Sequence, residues 1–192
     1  FSPETDLGRP VFVSRTEAKT QEQKKFFNQL EAFAKRGGTV VYLGGGGPRY
    51  GWGKPVDVPD YLPVKCGTKL ARGAWAPITH LIHEHPIFKG LPNNQMMGAI
   101  YENVWAETSL VGTGGEIVAG CIGFDWFPEL DKRRRHYYGP GDTWYGSDIA
   151  VVPVGQGRCI LSQLRLIDFL DIDPVADKIL FNLIEYAALP VQ

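Results

Sequence analysis

The sequence has almost no net charge: 20 lysines and arginines stand against 21 aspartates and glutamates, leaving −1 at neutral pH. Without one dominant sign there is no global field to hold nucleic acid or an anionic membrane. Cysteine is scarce as well. Cys66, Cys121 and Cys159 are an odd number with no C-x-x-C pair, which argues against a disulfide framework or a zinc knuckle and leaves room for one bridge at most. No apolar run reaches the ~18 residues that span a bilayer, and no basic-then-apolar leader pattern follows Phe1. No Asn-x-Ser/Thr acceptor occurs, and internal repeats are absent. A chain that opens Phe1-Ser-Pro-Glu-Thr-Asp6 reads as the cut or processed end of a longer protein.

What is present suits a single α/β domain spanning 1–192, with 44% apolar and 21% charged residues. Glycine contributes 23 residues and proline 14, about a fifth of the chain against a usual ~12%, so long shaped loops are expected. Arg9 to Ser14 is a short β-branched and aromatic run. Thr16 to Arg36 then carries Phe26, Leu30, Phe33 and Ala34 at helical spacing, with Thr20 and Gln23 as a capping box and Gly37 or Gly38 as the stop. Thr39 to Leu43 is almost continuously apolar, as a strand covered on both faces should be. Together these segments predict a parallel βαβ unit.

Gly44 to Gly73 reads as an excursion with one short strand at Tyr61 to Lys65. Further strands are expected at Ile78 to His83, Gly98 to Trp105, Glu116 to Ile122, Ile149 to Val154 and Arg158 to Leu161, the last two joined as a hairpin by Gly155-Gln-Gly157. Asp173-Pro174 is an N-cap with proline at the first helical position, and Val175, Ile179, Leu183, Ile184 and Ala187 form the apolar stripe of a closing helix.

The chemistry-bearing clusters each meet an obstacle. Gly44 to Gly47 follows a strand, where phosphate loops lie, yet neither G-x-G-x-x-G nor a P-loop pattern is completed, and Pro48 and Pro55 prevent a following helix. His80, His83 and His85 fall within six residues; on a strand His83 and His85 share a face and His80 points away, so a metal would find only two, and the zincin spacing is absent. Hydrogen bonding at a strand end is the plainer role for them. Asp131 to Tyr138 holds three arginines among aromatics, but no second basic cluster accompanies it, so a solvated loop fits better than a nucleic-acid contact. Gly120-Cys121-Ile-Gly123 has the look of a nucleophile elbow, but Phe-Asp-Trp-Phe-Pro does not open a helix, and a buried structural thiol is expected. Tyr50, Trp52, Trp75, Trp126, Trp144 and Tyr145 lie in or beside Gly/Pro-rich loops, with Asp125, Asp142 and Asp148 nearby. Aromatic faces beside carboxylates suit sugar rings, and they equally suit interface packing or loop anchoring.

The succession His85-Pro-Ile-Phe-Lys-Gly-Leu-Pro92, Tyr101-Glu102 and Val152-Pro-Val-Gly-Gln-Gly-Arg158 leading into Ile160-Leu-Ser162 resembles the ThuA-like group of the class I glutamine-amidotransferase-like superfamily. The helix ending in Lys35-Arg-Gly-Gly-Thr-Val-Val41 is similar to that superfamily's helix-then-strand element. Related domains occur as accessory modules of large bacterial glycoside hydrolases, including the oligomerisation domain of some β-galactosidases, and Asp173 to Leu180 looks like the ending of such modules. The resemblance implies a flavodoxin-like α/β fold: a mainly parallel sheet flanked by helices, with an added β-rich lobe. Two departures accompany it. The loop after Leu43 has no thiol where an amidotransferase has its nucleophile, and the family's opening strand and helix have no counterpart before Val11.

The resemblance therefore implies a non-catalytic accessory or assembly domain of a carbohydrate-active protein, with no cofactor and no metal. Its partners would be a neighbouring domain or subunit and, through the loop aromatics, carbohydrate. A periplasmic or secreted bacterial setting is favoured over a cytoplasmic one. The alternative is a free-standing sugar-processing enzyme using His83, Glu84 or His85 as acid and base. Convergence of those groups with Asp125 or Asp148 in a concave pocket would mark it.

Overall fold

The computed structural model describes residues 6–14, 20–45, 63–71, 79–124 and 143–191. Strand β1 (Val11–Ser14), helix α1 (Gln21–Lys35) and strand β2 (Thr39–Leu43) form the expected βαβ unit, with β1 and β2 parallel. Thr20 begins α1 as a complete capping box, its side chain accepting from the Gln23 amide while the Gln23 side chain accepts from the Thr20 amide. The helix ends in a Schellman motif. The Gly38 amide bonds back to the Phe33 carbonyl and the Gly37 amide to that of Ala34, with Gly37 at φ +113°. The buried face is Phe27, Leu30, Phe33 and Ala34, whereas Phe26 is half-buried.

The remaining strands are β3 (Gly67–Leu70), β4 (His80–Ile82), β5 (Gln95–Met96), β6 (Thr108–Val111), β7 (Glu116–Phe124), β8 (Thr143–Val154) and β9 (Gly157–Ser162). Among the described residues they make one mixed sheet in the order β1-β2-β9-β8-β7-β4-β5, from which β6 branches off β8 and carries β3. Parallel pairing is confined to β1 with β2 and β2 with β9; the other pairings are antiparallel. The sheet is thus mixed rather than mainly parallel. The cause is connection length: a parallel neighbour needs a crossover of a dozen or more residues, and β8 reaches β9 through two. In that turn Gly155 sits at φ +62° and Gln156 does not have positive φ, the pattern of a type II′ hairpin. The β-rich middle extends the same sheet instead of standing apart as a lobe.

Two further expectations change. Gly98 to Trp105 forms no strand; it begins with a 3-10 turn (Ala99–Tyr101) that buries Tyr101 and Val104, spaced three apart, and the Tyr101 hydroxyl donates to the Pro92 carbonyl. The short strand expected at Tyr61 to Lys65 lies instead at β3. Residues 61 and 62 are outside the described set, and 63–66 are not strand.

Helix α2 (Pro174–Ala187) closes the fold, with Asp173 accepting from the Val175 amide at 2.8 Å. Each face of the sheet then has its own apolar cluster. Val40, Tyr42, Cys159 and Leu161 pack with the α1 side chains, whereas Val41, Leu43, Ile160 and Ile149 pack with Ile179 and Leu183 of α2. That is why all five residues of β2 are buried. The α2 stripe is Ala176, Ile179, Asn182, Leu183 and Ala187; Val175 is half-buried and Ile184 faces outward. Asn182 donates to the carbonyls of Ile87 (3.0 Å) and Lys89 (2.9 Å), which pins the loop after β4 onto the helix. Leu183→Ala is expected to lower unfolding free energy by roughly 2–4 kcal/mol in a urea titration, because its side chain is fully enclosed. An unchanged midpoint would remove α2 from the core.

Candidate functional site

The histidine run sits where β4 ends. In the β4/β7 pairing His80 lies opposite Cys121, Leu81 opposite Gly120 and Ile82 opposite Ala119. The β7/β8 register is broken on either side of Ala119: Ala119 pairs with Ile149 but Gly120 with Ser147, so Asp148 is an extra residue in β8. A bulge of this kind re-aims a side chain. Here the Asp148 carboxylate lies 2.5 Å from His80 Nδ1 through Oδ2 and accepts from the Ser109 hydroxyl at 2.5 Å through Oδ1. The Trp105 ring meets the His80 ring edge-on at 5.5 Å between centroids, and Thr79 Oγ1 is 3.5 Å from Cys121 Sγ.

None of His80, Asp148, Ser109 or Cys121 has any exposed surface. Burial alone would drive the His80 imidazole toward neutrality, but the adjoining Asp148 carboxylate outweighs it and raises the group to about 10. His80 is therefore an imidazolium at neutral pH, enclosed by the sheet. Cys121 adds a smaller push in the same direction, yet His80 Nε2 makes no hydrogen bond to it or to any other described residue. The arrangement resembles the relay of a thiol hydrolase in residue types alone. A nucleophile needs access, and this thiol has none, which agrees with the expected structural cysteine.

The three nominated acid-base groups are not brought together. His83 and Glu84 are exposed, and His83 Nε2 lies 3.1 Å from the Tyr145 hydroxyl. His85 is buried. Its Nδ1 accepts from the Ile87 amide at 3.2 Å, capping a 3-10 turn (Pro86–Phe88), and its ring meets Tyr186 edge-on at 4.5 Å. Acceptance at Nδ1 places the proton on Nε2, 4.0 Å from Glu116 Oε1. Burial, with a smaller contribution from Arg158 against that of Glu116, holds His85 below the usual histidine range. The shared face expected for His83 and His85 does not exist because β4 stops at Ile82 and His85 opens a helical turn. Among the described residues no three His, Cys, Asp or Glu side chains form a metal-binding group.

Of the loop aromatics, Tyr50, Trp52, Trp75 and Trp126 lie outside the described residues, as do Asp125, Asp142 and the arginines of 131–138. Trp144 and Tyr145 stand on β8, on opposite faces. The Trp144 indole is half-buried and lies on Gly123, where an added Cβ would come within 2.0 Å of the ring. Tyr145 is 42% exposed, with its hydroxyl over Gly120 and beside His83. Opposite Tyr145 on β7 is Ile122, also exposed. Sequence reading missed the His80–Asp148–Ser109 network. Its one trace is the placement of Ser147-Asp148 inside an otherwise apolar strand, a signal of a satisfied buried polar pair.

The apolar pocket between α1 and the sheet, lined in part by Val13, Leu30, Val40 and Cys159, offers a thiol that burial pushes up to about 12, which makes it inert at neutral pH. Among the described residues no helix is long and apolar enough to cross a membrane. No protein-family model matches the chain, and no curated protein matches it either.

Proposed function

We propose that this chain is a non-catalytic accessory or assembly domain of a carbohydrate-active protein, and that the Tyr145 face of the sheet is its contact surface. The observation that carries the reading is the contrast between enclosed chemistry and exposed aromatic surface. His80, Asp148, Cys121 and His85 are buried or spent on structural bonds, while Tyr145, its hydroxyl held by His83, stands outward opposite exposed Ile122. A tyrosine fixed through its hydroxyl loses little entropy on contact and offers an apolar ring face to a sugar or to a neighbouring domain. The resemblance to ThuA-like accessory modules supports the same reading and names a glycoside hydrolase as the parent. Against the acid-base alternative stands the separation of His83 from His85, which point to different neighbours.

Tyr145→Ala is expected to weaken docking onto the catalytic domain, or retention on immobilised polysaccharide, by roughly tenfold or more, on the scale of an aromatic hot spot, with the thermal midpoint nearly unchanged. Both contacts persisting at parental strength would overturn the assignment of this face. Sugar hydrolysis by the isolated chain that His83→Ala abolishes would transfer the reading to the enzyme.

A further inference from the structure

Among the described residues, the outward side of α2 is a second exposed apolar surface. Six of the exposed large apolar side chains fall between Ile167 and Leu189, and Ile172 (72%), Phe181 (55%) and Leu189 (53%) are the barest of them. On the helix itself Phe181 lies at the centre of the outward stripe, with Ile184 on one flank and Lys178 and Glu185 on the other. Lys178 and Glu185 are seven residues apart, two turns, and so share that flank. The Lys178 ammonium lies 5.5 Å from the Phe181 ring centre.

We propose that a second copy of this chain packs on this stripe, α2 against α2 in antiparallel fashion about a two-fold axis beside Phe181. The charge pattern selects that occupant. A two-fold axis crossing the helix midway between positions 178 and 185 puts Lys178 of each copy level with Glu185 of the other, ~5 Å to either side of the axis along the helix. Two opposite-charge pairs then flank a centre formed by the two Phe181 rings. The same operation brings Ile172, just before one helix, to the end where Leu189 follows the other. Antiparallel packing also sets each helix's positive end beside the partner's negative end. A parallel two-fold would instead carry Lys178 of each copy to the side of the seam away from Glu185 of the other, so this lysine–glutamate pairing forms in the antiparallel orientation only. With a net charge of −1, no long-range repulsion opposes the approach of two copies.

This names a partner within the assembly reading, yet it uses a surface separate from the Tyr145 face, so either can fail alone. Sedimentation equilibrium of the chain is expected to give a dimer at ~100 μM, and Lys178→Glu or Glu185→Lys alone should each raise the dissociation constant at least about tenfold. The combined exchange, Lys178→Glu with Glu185→Lys, should restore it, because the pairing is recreated with reversed sign. Both positions lie outside the core, and unchanged thermal melts would confirm that the variants fold. A monomer at that concentration, or a dimer indifferent to the single changes, overturns the proposal. So does a double variant as weak as the singles, or a face that binds another protein while the chain stays monomeric.

Discussion

Asp148→Ala is expected to cost about 3–5 kcal/mol of folding stability, the range for removing one member of a buried ion pair. Two groups lose their partner at once: the His80 imidazolium its counter-charge and the Ser109 hydroxyl its acceptor, both without exposed surface. Loss of the His80 proton limits the damage, since a neutral imidazole is the cheaper group to bury. Asp148→Asn keeps the shape and an acceptor for Ser109, and should therefore cost less. The pH profile identifies the cause. Because His80 is raised from 6.5 to about 10 on folding, its stabilising contribution is complete below about pH 6.5 and is lost as pH rises toward 10. His85 is lowered, so its contribution is present above about 6.5 and is lost as pH falls through its folded value. The parent chain should then be most stable near pH 6.5 to 7. In Asp148→Asn the decline between about pH 7 and 9 should flatten while the acid limb remains. An alkaline limb identical in parent and variant would show that His80 is not the group responsible.

The parts of this fold that were legible in the sequence are those whose signals are local. Thr20 with Gln23, Gly37, the Gly155-Gln-Gly157 turn and Asp173-Pro174 each act within a few residues of themselves, and each sits where its residue types required. Strand direction is a different kind of property. Whether β8 lies parallel or antiparallel to β7 depends on chain far away in sequence, and an apolar run such as Ile149 to Val154 reads alike in either case. The candidate site was hidden for the same reason. His80 reaches across 68 positions to Asp148, and Ser109 across 39, through a bulge that no residue type announces. The crowding of His80, His83 and His85 gave the opposite impression. Their closeness in sequence survives in the fold only as three separate environments, because a three-residue strand and a helical turn divide them. Phe26 and Ile184 show a finer limit: both satisfy helical periodicity, and each lies at the margin of a buried stripe or beyond it.

Arg158→Leu is expected to be comparably costly, about 3–5 kcal/mol, although the sequence marks Arg158 only as a residue after a hairpin glycine. Its guanidinium is almost completely buried. One Nη2 donates to the carbonyls of Tyr186 (2.9 Å) and Leu189 (2.7 Å) and, at 3.4 Å, to that of Ala187, while Nε donates to Thr39 Oγ1 at 3.3 Å. These carbonyls belong to the last turn of α2 and the residues after it, where the Leu189 amide satisfies only that of Tyr186 and where the helix dipole favours a cation. The plane also lies 4.7 Å over the Tyr186 ring. Arg158 thus ties the start of β9 and β2 to the end of α2 with one side chain. Leucine keeps much of the volume but strips this donor from the Ala187 and Leu189 carbonyls and from Thr39, and leaves the Tyr186 carbonyl with the Leu189 amide alone, the expensive half of the exchange. Lysine should rescue only partly, since one ammonium cannot reproduce the planar fork. For a chain of this length the loss corresponds to a fall in melting temperature of about 10 °C. A second readout separates this cation from mere packing. Arg158 helps to hold His85 below its ordinary range, so in Arg158→Leu the His85 ring should titrate at higher pH by NMR. A stable Arg158→Leu variant with an unmoved His85 titration would mean that neither the helix end nor the histidine feels this charge.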